Sequence, residues 1–275
     1  MAYDTILLRY GEIFLKGKNK SFFERKLLRN IKALAGIKNI KKLQSRLVAD
    51  YFPQHRKLRD IFGLTSYSLA AQSEKDPEKI KHKALEMLQD KKGTFRVETK
   101  RADKNFPYIS PEFNALVGKH IEKECTNLEF SLKKPHIILS IEINADGAYL
   151  FLETISCRGG LPTGVEGAAM LLVDDKASML AGLLFMKRGC NIVPVSFSEK
   201  DLSLLQKFSP SLLKLKIVRN FSELETLGSK YGLSILVSGQ QFKQYKKYDA
   251  SLLAMRPLIS YTDAEIEEAL QEYAA

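Results

Sequence analysis

Cysteine is scarce in this chain of 275 residues. The three cysteines, Cys125, Cys157 and Cys190, lie about thirty residues apart, without C-x-x-C spacing and without a nearby histidine that would suggest a zinc site. This pattern argues against a disulfide framework and against a local zinc finger, which need paired or clustered ligands. We therefore predict no metal site, and we expect each cysteine to be a small buried hydrophobic residue.

Long apolar runs are also missing. No stretch approaches the roughly 18 consecutive apolar residues of a membrane span, and no basic segment leads into an apolar run at the N-terminus, as it would in a secretory signal. Hydrophobic residues make up 45% of the chain and charged residues 27%, a composition typical of folded globular proteins. The sequence therefore predicts a cytoplasmic protein with no membrane partner.

Negative charge is rare in the first fifth of the chain. Residues 1–60 hold fifteen Lys and Arg against five Asp and Glu, which accounts for nearly all of the net charge of +11. A concentrated basic surface attracts polyanions because binding releases their counterions. Nucleic acid is thus the leading partner; a solvated basic face and an anionic membrane surface are the alternatives, the latter weaker because the basic helix has an apolar face suited to a protein core.

Residues 1–60 are predicted to fold as strand, helix and strand. Thr5–Tyr10 is short and rich in β-formers, and an S-x-x-E capping box predicts a helix that begins near Ser21. Apolar residues then recur at helical spacing on one face, with basic residues between them, and Gly36 supplies the stop. A second strand is predicted at Leu47–Phe52.

Residues 61–158 read as a second domain of α+β character. Asp76 and Pro77 predict the start of one helix, and Ser110-Pro111-Glu112 predicts another. Between them, alternation around Phe95 predicts a half-exposed strand. A hairpin is predicted from Ile137–Ile143 and Ala148–Ile155, joined by a turn that contains glycine.

Residues 165–275 read as a third domain with a different pattern, after a linker rich in Gly and Pro at Cys157–Gly167. Ala168–Val173 is a continuous apolar run, typical of a strand buried on both faces. Helices alternate with further strands, predicted at Ile192–Phe197, Leu212–Val218 and Ser234–Val237. This alternation indicates a parallel, Rossmann-like sheet.

The turn after the first strand of this third domain contains carboxylates and no glycine. Ligands of open α/β sheets lie at the carboxyl ends of the strands, and phosphates need backbone N–H groups that converge at a helix N-terminus. Here Asp174 and Asp175 suit the helix dipole but would repel a phosphate, so a capping role is the favoured interpretation. A second candidate ligand loop contains Gly239, after the strand Ser234–Val237.

Several runs resemble one known family. LLRYGEIFLKGKNKSFFERKLLRNI closely resembles the start of the tRNA 4-thiouridine synthases, the ThiI-type tRNA sulfurtransferases. FRVETKRADKNFPYISPEFNALVGKHI resembles the body of their THUMP domain. CRGGLPTGVEG, GLLFMKRG, SILVSGQ and AMRPLISYTDAEI are similar to the junction, first helix, later strand and tail of their PP-loop ATPase domain. The likeness covers nearly the whole chain in the family's order.

This resemblance implies an α+β N-terminal half, consisting of a ferredoxin-like domain and a THUMP domain, followed by an α/β Rossmann-like domain of the PP-loop, adenine nucleotide α-hydrolase-like type. It also implies that the first two domains bind the acceptor end of tRNA, that the third adenylates a uridine oxygen with ATP, and that a cysteine persulfide delivers sulfur. The RNA-binding residues that it implies are Arg9, Lys16, Lys18, Lys20, Arg25, Lys26, Arg29, Lys100, Arg101, Lys104 and Phe106.

The PP-loop departs from the family pattern. Where the family has Ser-Gly-Gly-x-Asp-Ser, this sequence has Val173-Asp174-Asp175-Lys176-Ala177-Ser178, so that both glycines are replaced by carboxylates. The stretch between Phe197 and Ser234 is also shorter than in the family, and no cysteine follows Cys190. The remnant nucleotide-binding positions that the resemblance implies are Leu171, Leu172, Asp174, Asp175, Ser178, Phe197 and Gly239. Of these, Leu171, Leu172, Phe197 and Gly239 persist in type and Ser178 is the surviving serine of the loop, whereas Asp174 and Asp175 replace glycines.

Three hypotheses follow, and the catalytic residues stay unassigned. The leading one is a tRNA-binding protein with lost or weakened ATP-dependent adenylation and no firmly implied cofactor. The second is an active sulfurtransferase in which Asp174 or Asp175 binds Mg²⁺ for ATP and Cys190 carries sulfur. The third is a non-catalytic adaptor in a tRNA-modifying complex. The sequence leaves open whether the protein forms a homodimer and whether a separate sulfur-donor or catalytic protein is its partner.

Overall fold

The computed structural model describes residues 3–43, 46–248 and 251–274. The chain divides into two compact units. The first comprises residues up to Arg9, Asn39–His55 and Ser66–Ser156, and the second comprises Tyr10–Lys38, Arg56–Thr65 and the residues from Cys157 onward.

The α-helices of the described chain are α1 (Lys20–Ala35), α2 (Pro77–Leu88), α3 (Ser110–Glu124), α4 (Lys176–Lys187), α5 (Ser203–Phe208), α6 (Phe221–Tyr231) and α7 (Asp263–Ala274). Among the residues that the structure describes, no helix combines the length and the apolar character needed to cross a membrane.

A nine-stranded sheet forms the frame of the first unit. Its strands are β1 (Thr5–Tyr10), β2 (Ile40–Lys42), β3 (Leu47–Asp50), β4 (Leu64–Ser73), β5 (Gly93–Arg101), β6 (Leu128–Phe130), β7 (Ile137–Asn144), β8 (Gly147–Phe151) and β9 (Ile155–Ser156). The order is β2-β3-β1-β4-β8-β7-β5-β6, with β9 paired to β4. Strand β5 runs parallel to β6 and to β7, while β7 and β8 form the predicted antiparallel hairpin.

Helices α2 and α3 pack their apolar residues into the core of this unit. The Asp76 carboxylate accepts a hydrogen bond from the Lys79 amide at 2.9 Å, which confirms the predicted cap at the start of α2. The core joins residues of both helices to residues of β5, among them Ile80, Ala84, Phe113, Val117, Ile121, Phe95 and Val97.

Helix α1 belongs to the second unit, and its start differs from the sequence prediction. The helix begins at Lys20, and Asn19 precedes it without a side-chain cap, so the capping box predicted at Ser21 does not form. The reason is that Glu12–Asn19 is already a 3₁₀ helix that runs directly into α1. The end is as predicted: Gly36 adopts a left-handed conformation, with φ of 73°, and its N–H donates to the Lys32 carbonyl.

The second unit also contains a parallel five-stranded sheet. Its strands are β10 (Ala168–Leu172), β11 (Asn191–Ser196), β12 (Lys216–Ile217), β13 (Ile235–Val237) and β14 (Leu253–Met255), in the order β12-β11-β10-β13-β14. Every neighbouring pair is parallel, which confirms the Rossmann-like prediction. Strand β12 is much shorter than the predicted Leu212–Val218; Leu212 is 74% exposed and contributes no strand residue.

The strand order reverses beside β10, which carries β11 on one side and β13 on the other. Such a switch point opens a crevice at the carboxyl ends of the central strands. Gly182 lets α4 lie close to this sheet, because a β-carbon there would come within 2.6 Å of the Leu171 side chain. The fold therefore directs the turn after β10 and the loop after β13 toward the same edge.

Candidate functional site

A cavity of about 600 Å³ lies at the carboxyl edge of the five-stranded sheet. Of the positions predicted to contact a nucleotide, Leu172, Asp174, Asp175, Phe197 and Gly239 line this cavity. Leu171 and Ser178 do not. Leu171 is fully buried in the core between the sheet and α4, because successive side chains of a strand point to opposite faces.

The turn at Asp174 and Asp175 is held by hydrogen bonds between its own residues and Ser178. The Asp175 carboxylate accepts a hydrogen bond from the Ser178 amide at 2.9 Å and so caps α4. The Ser178 hydroxyl accepts hydrogen bonds from the amides of Asp174 and Asp175, at 3.2 and 3.3 Å, and donates to the Asp175 carbonyl. The amides of Asp174, Asp175 and Ser178 thus already have partners within the turn, and Asp175 caps the helix as the sequence predicted.

The Asp174 side chain makes this end of the cavity more negative. Burial, together with the neighbouring Asp175 charge, raises the pKa of the Asp174 carboxyl, and the nearby Lys200 charge opposes that rise. Lys200 also donates a hydrogen bond to the Asp174 carbonyl oxygen at 2.7 Å. Two carboxylates and a helix end that is already capped do not fit the phosphates of a nucleotide.

Gly239 lies against the first turn of α4. A β-carbon at this position would overlap the Ser178 amide nitrogen and the Ala177 carbonyl carbon, so only glycine fits without a shift of the backbone. The loop after β13 is thereby held beside the capped helix end. Packing alone accounts for this glycine, whether or not a ligand binds.

Sequence reasoning missed the basic and aromatic side of the cavity. Lys243, Lys246 and Lys247 line it together with Tyr245 and Tyr248. The Arg256 guanidinium lies 4.8 Å from the Tyr245 ring centroid and 5.2 Å from that of Tyr248, which holds both rings in place. The run KQYKKY was the signal in the sequence, since it alternates lysines with aromatic residues after a strand of the sheet.

The predicted RNA-binding residues of the second unit lie on and just before α1. Lys18, Arg25 and Arg29 are exposed, and Phe22 beside them is 46% exposed. Lys16, Lys20 and Lys26 are half-buried. Lys16 lies 3.4 Å from the Glu166 carboxylate, and Lys20 lies 3.7 Å from that of Glu24. The exposed cations therefore form the surface that we call the basic face of α1, defined by Lys18, Arg25 and Arg29.

The Arg9 side chain is held by contacts within the first unit. It is 13% exposed and lies 3.0 Å from the Glu142 carboxylate, donates to the Ser68 hydroxyl at 2.9 Å, and stacks over the Phe151 ring. Burial lowers the pKa of the Arg9 guanidinium, while Glu142 opposes that change. This placement argues against Arg9 as a phosphate ligand, because its donors already serve the fold.

The last residues of β5 and the segment after it divide into exposed and buried residues. Lys100 and Lys104 are exposed, whereas Arg101 is half-buried and donates to the Phe106 carbonyl at 3.3 Å. Phe106 is 3% exposed, and its ring packs edge-on against Phe113 at 4.9 Å. The structure corrects the assignment of Phe106 to the RNA-binding set: it is a core residue, because α3 covers it.

The cysteines are free thiols with suppressed acidity. Burial raises the pKa of the Cys157 thiol to about 12, and burial followed by the Glu166 charge raises the pKa of the Cys190 thiol. Because the thiolate is the reactive form, neither environment favours a nucleophile or sulfur carrier. Within the described ranges, no group of three or more His, Cys, Asp and Glu side chains is placed to hold a metal ion.

The architecture defines a class of protein: a ferredoxin-like domain and a THUMP domain, followed by a Rossmann-like domain. Family models agree, since the ThiI ferredoxin-like domain matches residues 5–68 and the THUMP domain matches residues 74–153. A probable tRNA sulfurtransferase of Geobacillus sp. strain WCH70 is 33% identical over 280 residues, which cover 96% of this chain and 68% of that protein. The chain belongs to the tRNA sulfurtransferase family.

Other relatives are longer than this chain. The probable tRNA sulfurtransferase of Geobacillus kaustophilus is 36% identical over 250 residues, which cover 86% of this chain and 60% of that protein. The chain thus spans about 60% of the length of such curated relatives.

Two solved structures are similar to nearly the whole chain. A crystal structure of a Pyrococcus horikoshii protein matches with a TM-score of 0.85 and 28% identity, covering 99% of this chain and 100% of that one. A 4-thiouridine synthetase, crystallised with RNA and with bound ATP, matches with a TM-score of 0.84 and 26% identity, covering 99% of this chain and 85% of that one.

Proposed function

We propose that this protein binds tRNA and that its ATP-dependent adenylation is lost or weakened. Membership of the tRNA sulfurtransferase family supports the RNA part, as does the likeness to a 4-thiouridine synthetase that binds RNA. We further propose domains at residues 1–60, 61–158 and 165–275, and a cytoplasmic location, as the sequence predicts.

The basic face of α1 is the observation that carries this proposal. Lys18, Arg25 and Arg29 are exposed, and the two arginines recur at a spacing of four, which places them on one side of the helix. Exposed cations that are free to reach a phosphate contribute affinity through counterion release, independently of base sequence. Lys100 and Lys104 supply further exposed cations in the THUMP-matched segment.

The turn after β10 supports the proposal that adenylation is lost or weakened. Asp174 and Asp175 replace the glycines of the family's loop, and Ser178 satisfies the backbone amides of both aspartates. Loss of one preorganised donor to a developing oxyanion typically costs about 10²–10³ in rate. Here several backbone donors have other partners, and the charge of the two aspartates has the wrong sign for a phosphate, so this turn does not suit the triphosphate of ATP.

Parallel titrations of the purified protein with tRNA and with Mg-ATP test the proposal. We expect tRNA binding with a log–log salt slope of about −4 to −5, as for six phosphate contacts, and negligible affinity for Mg-ATP. A tRNA affinity that barely changes with salt would contradict the RNA part. Mg-ATP binding at physiological concentrations would contradict the second part.

An active sulfurtransferase with a changed loop is the second candidate. The observation that favours it is the cavity itself, which persists at the carboxyl edge and is lined by Lys243, Lys246 and Lys247. Asp174 or Asp175 would then hold Mg²⁺ through carboxylate oxygens. Pyrophosphate exchange from ATP that depends on tRNA would establish this candidate, and its absence at saturating tRNA would remove it.

A further inference from the structure

The cavity at the carboxyl edge of the five-stranded sheet is lined by side chains of both signs. Asp174 and Asp175 line it from the turn after β10, whereas Lys246 and Lys247 line it from the loop after β13. Its volume of about 600 Å³ is within the usual range for sites that bind small molecules. A ligand of this cavity therefore has to be compatible with both signs of charge.

Three of these charged groups are available to a ligand. The backbone amide and carbonyl of Asp174 have hydrogen bonds, but its carboxylate makes no hydrogen bond or ion pair with any residue that the structure describes. The ammonium groups of Lys246 and Lys247 are likewise unpaired within residues 3–43, 46–248 and 251–274. All three residues are exposed, so a ligand in the cavity can reach them.

Gln240 adds an oriented donor to the same cavity. Its Oε1 atom accepts a hydrogen bond from the Arg256 guanidinium at 2.9 Å, and because a guanidinium can only donate, this bond fixes which end of the amide is the oxygen. The Nε2 atom has no hydrogen bond to the described part of the chain, and Gln240 is only half-buried at the cavity wall. Nε2 can therefore donate to a carboxylate oxygen of a ligand.

The acidic turn and the Gln240 amide lie close together. A β-carbon at Gly239 would come within 2.4 Å of the Ser178 amide nitrogen, so this glycine packs against the turn that holds Asp174. Gln240 is the next residue in the chain and is thereby held beside the same turn. Lysine side chains are flexible over four carbons, so the two lysines need no fixed spacing from the amide. The charged groups can therefore meet two charges carried by one small molecule.

Aromatic side chains form an apolar wall in the cavity. Phe197 is 41% exposed, and its ring packs edge-on against Phe221 at 5.4 Å. Phe221 in turn lies 5.2 Å from the ring of Tyr248, and all three side chains line the cavity. An apolar or aromatic skeleton placed against Phe197 removes apolar surface from water, which favours binding.

Ligands with one sign of charge fit these groups less well. An anion meets the repulsion of two carboxylates, and a cation meets that of the lysines. A zwitterion places its ammonium at Asp174 and its carboxylate at Gln240 and the lysines, so both of its charges form charge-assisted hydrogen bonds.

We propose that this cavity binds a small zwitterion, with a primary ammonium and a carboxylate on an apolar skeleton, of which an aromatic amino acid is the simplest example. The Asp174 carboxylate holds the ammonium, and Phe197 contacts the skeleton. The Gln240 amide holds the carboxylate together with Lys246 and Lys247. The inference rests on the proposed loss of ATP binding, because ATP would occupy the same cavity.

Three ligands that share one skeleton and differ in charge test the proposal on the full chain. Phenylalanine carries both charges, phenethylamine carries the ammonium alone, and 3-phenylpropionate carries the carboxylate alone. Ligand-observed NMR measures the affinity for each, with magnesium chloride and Mg-ATP as further ligands. We expect phenylalanine to bind about fivefold more tightly than either compound of single charge, as for one exposed ion pair.

Three variants divide the site into its parts. Asp174→Asn should weaken phenylalanine and phenethylamine about fivefold without weakening 3-phenylpropionate. Gln240→Glu keeps the acceptor for Arg256 but removes the donor, so it should weaken phenylalanine and 3-phenylpropionate about tenfold. The double variant Lys246→Gln, Lys247→Gln should weaken the same two ligands about threefold.

The matched controls remove the same charges outside the cavity. Glu268→Gln changes an exposed carboxylate on α7, and the double variant Lys214→Gln, Lys230→Gln changes two exposed lysines. Both should bind all three ligands like the parent protein. Circular dichroism establishes that every variant is folded.

Three results would overturn the proposal. The first is no phenylalanine binding by the parent protein at about 10 mM, a concentration at which a site with a Kd of about 1 mM is nearly full. The second is a compound of single charge that binds as tightly as phenylalanine, which makes the site one for a cation or an anion only. The third is Mg²⁺ that displaces phenylalanine, which makes the carboxylates metal ligands.

The Mg-ATP titration separates this proposal from the proposed function. Negligible binding of both Mg-ATP and phenylalanine refutes the zwitterion site and leaves the loss of ATP binding intact. Mg-ATP that binds at physiological concentrations and displaces phenylalanine refutes both, whereas Mg-ATP that binds and leaves phenylalanine in place refutes only the loss of ATP binding.

Discussion

Glu142 holds two arginines in the first unit. Its carboxylate lies 3.0 Å from the guanidinium groups of both Arg9 and Arg46, and the glutamate itself is 6% exposed. Removing one partner of a buried ion pair is strongly destabilising, because the remaining charge loses its compensation. The three side chains thus stabilise the sheet as a unit.

We predict that Glu142→Ala lowers the free energy of unfolding by about 3 kcal/mol. Urea denaturation followed by circular dichroism measures this change. The control is Glu74→Ala, which breaks an exposed ion pair with Lys79 and should cost less than about 1 kcal/mol. Similar losses in the two variants would show that Glu142 has no special role.

The ionised Asp174 carboxylate destabilises the folded protein, whereas the Glu142 carboxylate stabilises it. The pKa of the Asp174 carboxyl is raised in the fold, by burial first and by Asp175 next, so the folded protein holds this proton more tightly than the unfolded chain does. The ionised carboxylate therefore opposes folding at neutral pH, and this penalty disappears as the pH falls below the pKa values of both states.

We predict that Asp174→Asn raises the thermal midpoint at pH 7 by only about a degree, because the residue is exposed and solvent screens its charge. The gain should vanish near pH 3, where both states are protonated. Thermal unfolding of both proteins at the two pH values measures the difference. An equal gain at both values would assign the effect to shape or packing instead of charge.

At the scale of elements, the basic face of α1 should contribute to the affinity for tRNA without contributing to the stability of the fold. We predict that the double variant Arg25→Ala, Arg29→Ala makes the log–log salt slope of tRNA binding shallower by about 1.8, if each arginine neutralises one phosphate of a duplex. Thermal stability should change little because both side chains are exposed.

The matched control for α1 is the double variant Arg219→Ala, Lys230→Ala. It removes the same charge at the two ends of α6 and should leave the slope unchanged. A slope that becomes shallower by the same amount in both double variants would show that net charge matters and that the place of the cations does not.

Elements with strong local signals were predictable from the sequence. The starts of α2 and α4 follow from capping by Asp76 and Asp175. The start of α7 follows from Thr262, whose hydroxyl accepts a hydrogen bond from the Glu265 amide at 3.3 Å. Strand β14 was not predictable, because its three residues depend on pairing with β13 and carry little pattern of their own.

The candidate site residues also divide into features that were predictable from the sequence and features that were not. Convergence of Asp174 and Gly239 was predictable, because the carboxyl ends of parallel strands meet at one edge. Burial of Arg9 was not, since it depends on Glu142, which is 133 residues away in the sequence. Burial of Phe106 depends on how the nearby helix α3 packs against it through Phe113. Composition identifies a basic or aromatic residue, but only tertiary packing decides whether it reaches solvent.

For the whole molecule, the proposed function combines RNA binding by the N-terminal half with a cavity at the five-stranded sheet, where the turn that holds Asp174 and Asp175 carries negative charge. The two leading functions differ in what Asp174 and Asp175 do to ATP: in one they repel its phosphates, and in the other they hold the Mg²⁺ that accompanies them. The sign of their effect on affinity therefore distinguishes the two functions.

The most direct test is the affinity for Mg-ATP of the parent protein and of the double variant Asp174→Gly, Asp175→Gly, measured by calorimetry at one salt concentration. Glycine at the cap costs α4 only a few tenths of a kcal/mol relative to aspartate, so the variant should fold. We predict weak binding by the parent, tighter binding by the variant, and equal tRNA affinity for both. Tight binding by the parent that the variant loses would contradict the account and establish the carboxylates as ligands of the metal.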